Sequence, residues 1–258
     1  MSLAEARKTA MATLSAPSDQ KPRINFPNAT ADFLALSRWR PHSKRVIASS
    51  LKHFAWKKSL EKITPADVLN ALDAIDGPSA RDHALKDLKT FFNWCIPRYL
   101  SVSPCQGIKS ETQASRSRVL TRDEIMTLWH AVEGTFGTIF KLLLLTGQRK
   151  SEIGKLRAEY VDGDDIKLPP ALVKNKREHI FPIGPMAKAL LPVMEEGYLF
   201  TAATRNVPYN GYTHHMKLLQ QAAGIAGFTL HDLRRTFSTR MAELGVPIHV
   251  TEKILNHV

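Results

Sequence analysis

The chain has 258 residues and a formal net charge of +12, because 36 Lys and Arg residues outnumber 24 Asp and Glu residues. This length is near the upper limit for one hydrophobic core, so two domains are expected. The basic excess predicts a polyanionic partner, with nucleic acid the first candidate and an anionic membrane surface the second. The longest aliphatic run, Leu142 to Leu145, is far shorter than the roughly 20 apolar residues of a membrane span, which excludes a transmembrane anchor.

Cysteine usage and N-terminal composition bear on cofactors and location. The chain has only Cys95 and Cys105, without the spacing of a zinc site, so no metal or other cofactor is expected. Residues 1–22 are rich in Ala, Ser, Thr and Lys and lack the apolar stretch of a secretory signal. We expect them to form a mobile tail, and we expect the protein to reside in the reducing cytoplasm.

Helical signals dominate the next segment, residues 23–105. Helices are expected near 30–40 and 43–60, and another after Thr64, which is followed by Pro and an acidic residue in the first turn. A further helix over 80–96 has apolar residues at three- and four-residue spacing, namely Leu85, Leu88, Phe92 and Cys95. The segment is therefore expected to be a small all-helical domain of about four helices.

A linker and a second domain follow. Residues 106–118 are poor in large apolar side chains, which is typical of an exposed linker, and 119–258 form the second domain. A capping box from Thr121 to Glu124 begins a helix that is expected to bury one apolar face, formed by Ile125, Leu128, Trp129 and Val132. The rest is expected to be mostly helical, except for a β-hairpin with a basic tip between Asp165 and Ile183.

Basic residues are concentrated in two stretches of the sequence. No acidic residue occurs from Phe33 to Leu60, whereas solvated helix faces usually mix both signs of charge. This pattern favours phosphate contact over a merely solvated face. The candidate DNA-binding residues are Arg38, Arg40, Lys44, Arg45 and Lys52 in this segment, with Lys176 and Arg177 at the tip of the hairpin.

Arginine and histidine recur in a pattern suited to phosphate chemistry. Arg149 and Glu152 are three residues apart and share a face if helical, as do His231 and Arg234, and His257 follows near the end of the chain. Guanidinium groups bind non-bridging phosphate oxygens, and an imidazole moves a proton near neutral pH. The set therefore suits phosphoryl transfer without a metal.

These motifs, in order and spacing, resemble the tyrosine recombinase or phage integrase family: TGQR-x-x-E, Lys174 in the hairpin, HDLRRTF and LNHV. The resemblance covers roughly residues 25 to 258, and the four ordered elements together are specific. It implies a mainly α fold, with an N-terminal helical core-binding (SAM-like) domain that binds DNA. It also implies a mixed, mostly helical catalytic domain with a small β-hairpin or sheet.

The resemblance also implies a role for each matched residue. Arg149 and Arg234 would clamp the scissile phosphate, and Glu152 would support the first of them. Lys174, favoured over Lys176 by its distance from the hairpin proline, would protonate the departing 5′ oxygen. His231 would assist proton movement at the nucleophile, and His257 would hydrogen-bond a phosphate oxygen. The alternatives are that Glu152 pairs with Lys150 or Lys155, that His231 caps its own helix and that Lys174 is a turn residue.

The nucleophile of the family is a Tyr about nine residues after the second His, which would fall near position 266. The sequence ends at Val258, which suggests a truncated chain, and its five tyrosines all precede His257. We therefore expect site-specific DNA cleavage and rejoining through a 3′-phosphotyrosine from the family, without metal or ATP. The 258 residues themselves are expected to bind DNA without cleaving it.

The expected partners are double-stranded DNA with attachment-type sites, further copies of the full-length chain in a tetramer on DNA, accessory DNA-bending factors, and no membrane. One alternative is a non-catalytic DNA-binding remnant or regulator that lacks the nucleophile. A weaker alternative is a metal-dependent nuclease that uses His214, His215, His231 and Asp232, although no acidic cluster is available to hold magnesium.

Overall fold

The computed structural model describes Glu5 and residues 22–110, 117–203 and 205–257. The chain divides into two compact units, Met1–Ser115 and Arg116–Val258. Apart from Glu5 and Pro22, the expected N-terminal tail lies outside the described residues, as does the 111–116 part of the expected linker.

The first unit contains four α-helices in its described residues: α1 (Phe26–Leu36), α2 (Pro41–Leu51), α3 (Pro65–Asp73) and α4 (Pro78–Cys95). A short 3-10 helix, Leu60–Lys62, precedes α3. The predicted helix start at Thr64 is confirmed, because its side chain accepts from the backbone N–H of Asp67 and the Asp67 side chain accepts from the backbone of Thr64.

The expected helix over 43–60 is wrong beyond Leu51. After that residue the chain leaves the helix, and Ser59 pairs with Asn25 in an isolated β-bridge. Phe54 is fully buried in this non-helical stretch, and the Trp56 ring packs edge-on against Phe26 with centroids 5.1 Å apart. Burial of Phe54 and the packing of the half-buried Trp56 outweigh continuation of the helix.

Aromatic rings form the centre of the first unit. Phe91 packs edge-on against Phe26 and Phe33, with ring centroids 5.1 and 5.4 Å apart. Each ring of this kind contributes about 1.5–3 kcal/mol by leaving water. The predicted apolar face of α4 is confirmed, since all four of its residues are buried: Leu85, Leu88, Phe92 and Cys95.

The second unit begins with α5 (Arg122–Ala131), which has the predicted capping box between Thr121 and Glu124. Leu128 and Val132 are buried as expected. Ile125 and Trp129 are only half-buried, because they line an apolar surface groove of about 510 Å³, although Ile125 also packs against the core. The buried helix α6 (Gly134–Thr146) follows and forms the centre of the unit.

Two small antiparallel sheets interrupt the helices of the second unit. The first has the order β1 (Val161–Asp162), β2 (Asp165–Leu168) and β3 (His179–Pro182), with Leu168 opposite His179. β2 and β3 form the predicted hairpin, joined by residues 169–178. The second sheet, β4 (Thr201–Ala202) and β5 (Arg205–Pro208), was not expected, since the hairpin was predicted as the one exception to a mostly helical domain; its strands are too short to show an alternating pattern.

The remaining helices are α7 (Lys150–Ile153), α8 (Pro185–Lys188), α9 (Tyr212–Ala223), α10 (Leu230–Glu243) and α11 (Ile248–Leu255). The Thr236 hydroxyl of α10 accepts from the backbone N–H of Leu120, 3.0 Å away, and joins this helix to the start of the unit. Within the described residues, no helix has the length and apolar character that crossing a membrane requires. The mainly helical fold class, with a small sheet in the second unit, is confirmed.

Candidate active site

The turn that carries Arg149 depends on a glycine. Helix α6 ends at Gly147, whose backbone is left-handed at φ 66°. A Cβ there would lie 2.4 Å from the Phe237 ring and 2.7 Å from Leu255, so no side chain fits. Gly147 therefore lets the chain reverse tightly against α10 and α11 and brings Arg149 to the start of α7.

Glu152 fixes the orientation of Arg149. The Arg149 guanidinium donates to one carboxylate oxygen of Glu152 at 2.9 Å, and the Arg149 backbone N–H donates to the other, also at 2.9 Å. Glu152 is 1% exposed, so this pair is shielded from water on the carboxylate side. Both oxygens are thus used by Arg149 rather than by Lys150 or Lys155.

Arg234 is the second arginine of the site and is held by backbone carbonyl groups. Its guanidinium donates to the Gly147 oxygen at 2.9 Å and also to the Leu255 oxygen. Burial, followed by the positive charge of Arg149, lowers the pKa of Arg234 to about 10. The group is still a cation at neutral pH, so two positive charges stand close together where an anion would stabilise both.

His231 is free to act in the site because other residues cap its helix. Thr229 is the N-cap of α10, and the Asp232 carboxylate accepts from the Thr229 backbone at 2.8 Å. The pKa of His231 is lowered, first by partial burial and then by the positive charges of Arg235 and Arg234. A neutral imidazole that can accept a proton is therefore favoured.

Four of the five expected catalytic residues line one cavity of about 660 Å³: Arg149, Lys174, His231 and Arg234. Lys174 comes from the exposed tip of the hairpin, directly after the buried Val173. Lys176 has a positive φ of 58° and, although described, does not line the cavity. The geometry therefore favours Lys174 as the hairpin lysine of the site.

His257, also described, does not line this cavity. Its Nδ1 lies 3.0 Å from the Glu252 carboxylate, and the side chain is exposed. His257 follows the C-terminal end of α11. Carbonyl groups at this helix end accept hydrogen bonds from residues 147–149, which we call the arginine turn. The Ile254 oxygen accepts from Gln148 at 2.9 Å, and the Asn256 oxygen accepts from Arg149 at 3.5 Å.

Sequence reasoning missed several residues that build this site. Asn256 ends α11 in a left-handed conformation at φ 54°, and its side-chain oxygen accepts from Asn175 of the hairpin tip at 2.8 Å. Gln148 and the buried His179 also contact each other at 3.1 Å beside the arginines. An Asn at a helix end is a recognisable left-handed cap, but no sequence signal pairs Gln148 with His179.

Tyr212 also lines the cavity, yet it is poorly placed to act as a nucleophile. Its hydroxyl packs against Gly154, where an added Cβ would lie 1.8 Å from that oxygen. Burial raises the pKa of Tyr212 to about 12, which opposes formation of the phenolate. The Lys150 ammonium lies 4.9 Å from the centre of the ring. Tyr212 therefore serves as part of the cavity wall.

The candidate DNA-binding residues lie on the surfaces of the two units. Six are exposed and Lys44 is half-buried, and none forms an ion pair with an acidic residue of the described chain: Arg38, Arg40, Lys44, Arg45, Lys52, Lys176 and Arg177. Other lysines of the first unit are neutralised, since Lys58 contacts Asp67 at 2.5 Å and Lys86 contacts Asp82 at 2.6 Å. The named cations of the first unit that lack an acidic partner thus lie between α1 and α2, on α2 and directly after it.

Comparison with known proteins identifies a family and relatives for this chain. The model of the phage integrase family matches residues 118–258. Prophage integrase IntF of Escherichia coli is 25% identical over 209 residues, which cover 70% of this chain and 43% of IntF. The integrase of Escherichia phage P2 is 24% identical over 218 residues, 84% of this chain and 59% of that integrase. The chain spans about half the length of the curated relatives that it matches.

Solved structures share the fold. A lambda integrase dimer bound to a COC′ core site has a TM-score of 0.77 at 15% identity, and the match covers 98% of this chain and 82% of that chain. At this identity the likeness establishes the fold, so the integrase-type fold expected from the motifs is confirmed. Together with the family match over the second unit, it shows that the chain belongs to the phage integrase family.

Proposed function

We propose that this protein takes part in site-specific DNA recombination, by cleaving and rejoining DNA strands through a 3′-phosphotyrosine. The observation that carries the proposal is the convergence of Arg149, Lys174, His231 and Arg234 on one cavity. Two guanidinium groups, an ammonium group and a neutral imidazole together supply phosphate binding and proton transfer.

In the proposed reaction, a tyrosine hydroxyl attacks the scissile phosphorus and the bond to the 5′ oxygen breaks. Arg149 and Arg234 bind the non-bridging oxygens, whose negative charge increases in the pentavalent transition state. Their fixed hydrogen bonds to Glu152 and Gly147 mean that little reorganisation is needed as this charge develops. Both arginines therefore serve the chemical step more than the affinity for DNA.

Proton transfer is assigned to the other two cavity residues. His231 accepts or relays the proton of the attacking hydroxyl, and Lys174 donates a proton to the departing 5′ oxygen. His257 donates to a phosphate oxygen, which requires a shift from its present contact with Glu252. The phosphotyrosine conserves the energy of the broken bond, so rejoining needs neither ATP nor a metal.

We assign DNA binding to the seven basic residues named above, with double-stranded DNA of the attachment type as the substrate. A structure of lambda integrase as a tetramer bound to a Holliday junction supports the proposal that this chain also works as a tetramer on DNA. Accessory DNA-bending factors are proposed as further partners. We propose the cytoplasm as the site of action.

Covalent trapping tests the proposal. A chain extended through the expected Tyr near position 266 (the complete protein) is incubated with a nicked duplex that carries its attachment site. A protein–DNA band that survives denaturation, forms with EDTA present and disappears on digestion with protease is expected. Tight DNA binding without any covalent band would contradict the proposal and favour a non-catalytic DNA-binding role.

A further inference from the structure

A buried histidine lies next to the arginine turn but is not part of the cavity in the described structure. His179 occupies the first position of β3 and is 4% exposed. Its ring stacks on Phe181, with centroids 5.2 Å apart and planes inclined by 27°. Its Nε2 lies 3.1 Å from the side-chain oxygen of Gln148. The ring thus joins the strand that follows Lys174 to the residue that precedes Arg149.

The contacts of Gln148 determine which ring nitrogen of His179 carries a proton. The Gln148 side-chain nitrogen donates to two carbonyl oxygens, those of Ile254 at 2.9 Å and Thr146 at 3.2 Å. The opposite orientation of the amide would bring its oxygen against both carbonyl groups, which is unfavourable. The amide oxygen therefore faces His179, which assigns the hydrogen of the neutral ring to Nε2.

The electrostatic surroundings favour a neutral His179. Burial lowers its pKa, and the nearby Arg149 and Arg234 act in the same direction, whereas Glu152 and the Ile254 backbone act in the opposite one. A neutral ring with hydrogen on Nε2 donates one hydrogen bond without adding a third positive charge beside the two guanidinium groups.

We propose that His179 is a positioning residue for the phosphate site, which acts through Gln148 to hold three chain segments in register. These are the arginine turn, the end of α11 that precedes His257 and the hairpin that carries Lys174. Removal of the Nε2 donor would leave the buried oxygen of Gln148 without its partner and would release the amide from the Ile254 carbonyl. The turn that leads into Arg149, the next residue, would then be held less firmly, although the bonds between Arg149 and Glu152 would remain.

The proposal rests on the proposed function only for its catalytic consequence; the contact itself can be tested without DNA. In the 258-residue chain, nitrogen-15 NMR of the imidazole is expected to show His179 protonated at Nε2 and not at Nδ1 near pH 7. The tautomer protonated at Nδ1, or a ring protonated at both nitrogens, would overturn the proposal. This measurement needs no substitution and therefore does not depend on the folding of a variant.

Two substitutions separate the hydrogen bond from the volume of the ring. His179→Phe keeps a ring that stacks on Phe181 but removes the donor, whereas His179→Gln places an amide N–H near the former Nε2. His130→Gln, an exposed histidine of α5, is the matched control. Exchange of the Gln148 side-chain amide hydrogens with solvent is expected to accelerate at least about tenfold in the Phe variant. The Gln variant and the control should remain close to the unaltered chain.

Inorganic phosphate serves as the probe of the site. Its addition is expected to shift the Arg149 and Arg234 side-chain signals in the unaltered chain and in the Gln variant, and to shift Arg149 less in the Phe variant. In the complete protein, the covalent transfer rate of the Phe variant should fall on the order of 100-fold, with DNA affinity unchanged within about twofold.

The outcomes distinguish the two proposals. If phosphate shifts neither arginine in the unaltered chain, the proposed function fails, while the Gln148 exchange rates still decide the role of His179. Unchanged exchange in a folded Phe variant would overturn the positioning role. A folded Gln variant as impaired as the Phe variant would also overturn it, because only the shape of the ring would then matter.

Discussion

The charged residues of the cavity and those of the first unit differ in how they are held. Arg234 is 4% exposed and donates to two backbone carbonyl groups, and Arg149 is fixed by a buried carboxylate. Arg45 on α2 and Lys52, which directly follows that helix, are exposed and have no ion-pair partner among the described residues. Fixed groups suit a transition state of defined geometry, whereas mobile surface charges supply affinity for a phosphate backbone. The two sets should therefore respond differently to substitution.

The largest effect is expected for the cavity arginines. Arg149→Ala or Arg234→Ala in the complete protein should lower the covalent transfer rate by a factor of about 10²–10³ or more, because charge on the transition state loses a fixed donor. DNA affinity should change little. Arg157→Ala is the control, because Arg157 pairs with Glu159 outside the cavity. A loss of affinity that matches the loss of rate would place these arginines in the binding surface instead.

Removal of the buried carboxylate should affect stability as well as rate. Glu152→Ala leaves the Arg149 guanidinium without its partner and is expected to lower the free energy of unfolding by about 3 kcal/mol in a urea titration. Glu159→Ala removes an exposed partner of Arg157 and should cost far less. Equal losses in the two variants would show that burial of Glu152 does not strengthen its pair.

Substitution of two glycines with left-handed backbone conformations distinguishes the cost of a steric clash from the cost of backbone strain. Gly163→Ala should cost about 1–2 kcal/mol, because a Cβ at its φ of 61° is strained but has nothing within 4 Å. Gly147→Ala has similar strain and also overlaps with Phe237 and Leu255, so its loss of stability should be clearly larger. Similar losses would mean that the neighbouring side chains move aside readily.

The transfer rate should depend on the protonation of His231. Its pKa lies below the ordinary 6.5 because of partial burial and the charges of Arg235 and Arg234. A proton acceptor must be neutral, so the rate should be flat near neutral pH and should fall only at acidic pH, below the ordinary imidazole pKa of 6.5. His231→Gln should lower the rate and remove this inflection. An inflection that persists in the variant would assign it to another group.

The smallest effect per residue is expected for DNA binding by the candidate DNA-binding residues of the first unit. Simultaneous replacement of Lys44, Arg45 and Lys52 by Gln should weaken DNA binding by the 258-residue chain. The slope of log affinity against log salt should fall by about one unit for each DNA phosphate that is no longer neutralised. Replacement of the already paired Lys58 and Lys86 is the control. An unchanged slope would identify the face of α2 as merely solvated.

Local signals in the sequence predicted much of the fold and part of the site. Caps at Thr64 and Thr121 and the apolar face of α4 depend on neighbouring residues, so they were visible in the sequence. The end of α2 at Leu51 was not, because it depends on the burial of Phe54 against distant residues. The order and spacing of the motifs predicted the four catalytic residues that line the cavity. Gln148 and His179 are 31 residues apart and meet only through tertiary packing.

The most direct test of the central claim substitutes each of the two hairpin lysines in turn. Each variant is tested on DNA with an oxygen and with a sulfur leaving group. Lys174→Ala is expected to abolish covalent transfer from an ordinary 5′ oxygen. The Lys174→Ala variant should carry out covalent transfer at an almost normal rate when sulfur replaces that oxygen, because a thiolate departs without a proton. Lys176→Ala should behave like the unaltered protein on both substrates. The assignment of proton donation to Lys174 is contradicted if sulfur fails to restore covalent transfer by Lys174→Ala. It is also contradicted if Lys176→Ala, and not Lys174→Ala, is the variant that needs sulfur for transfer.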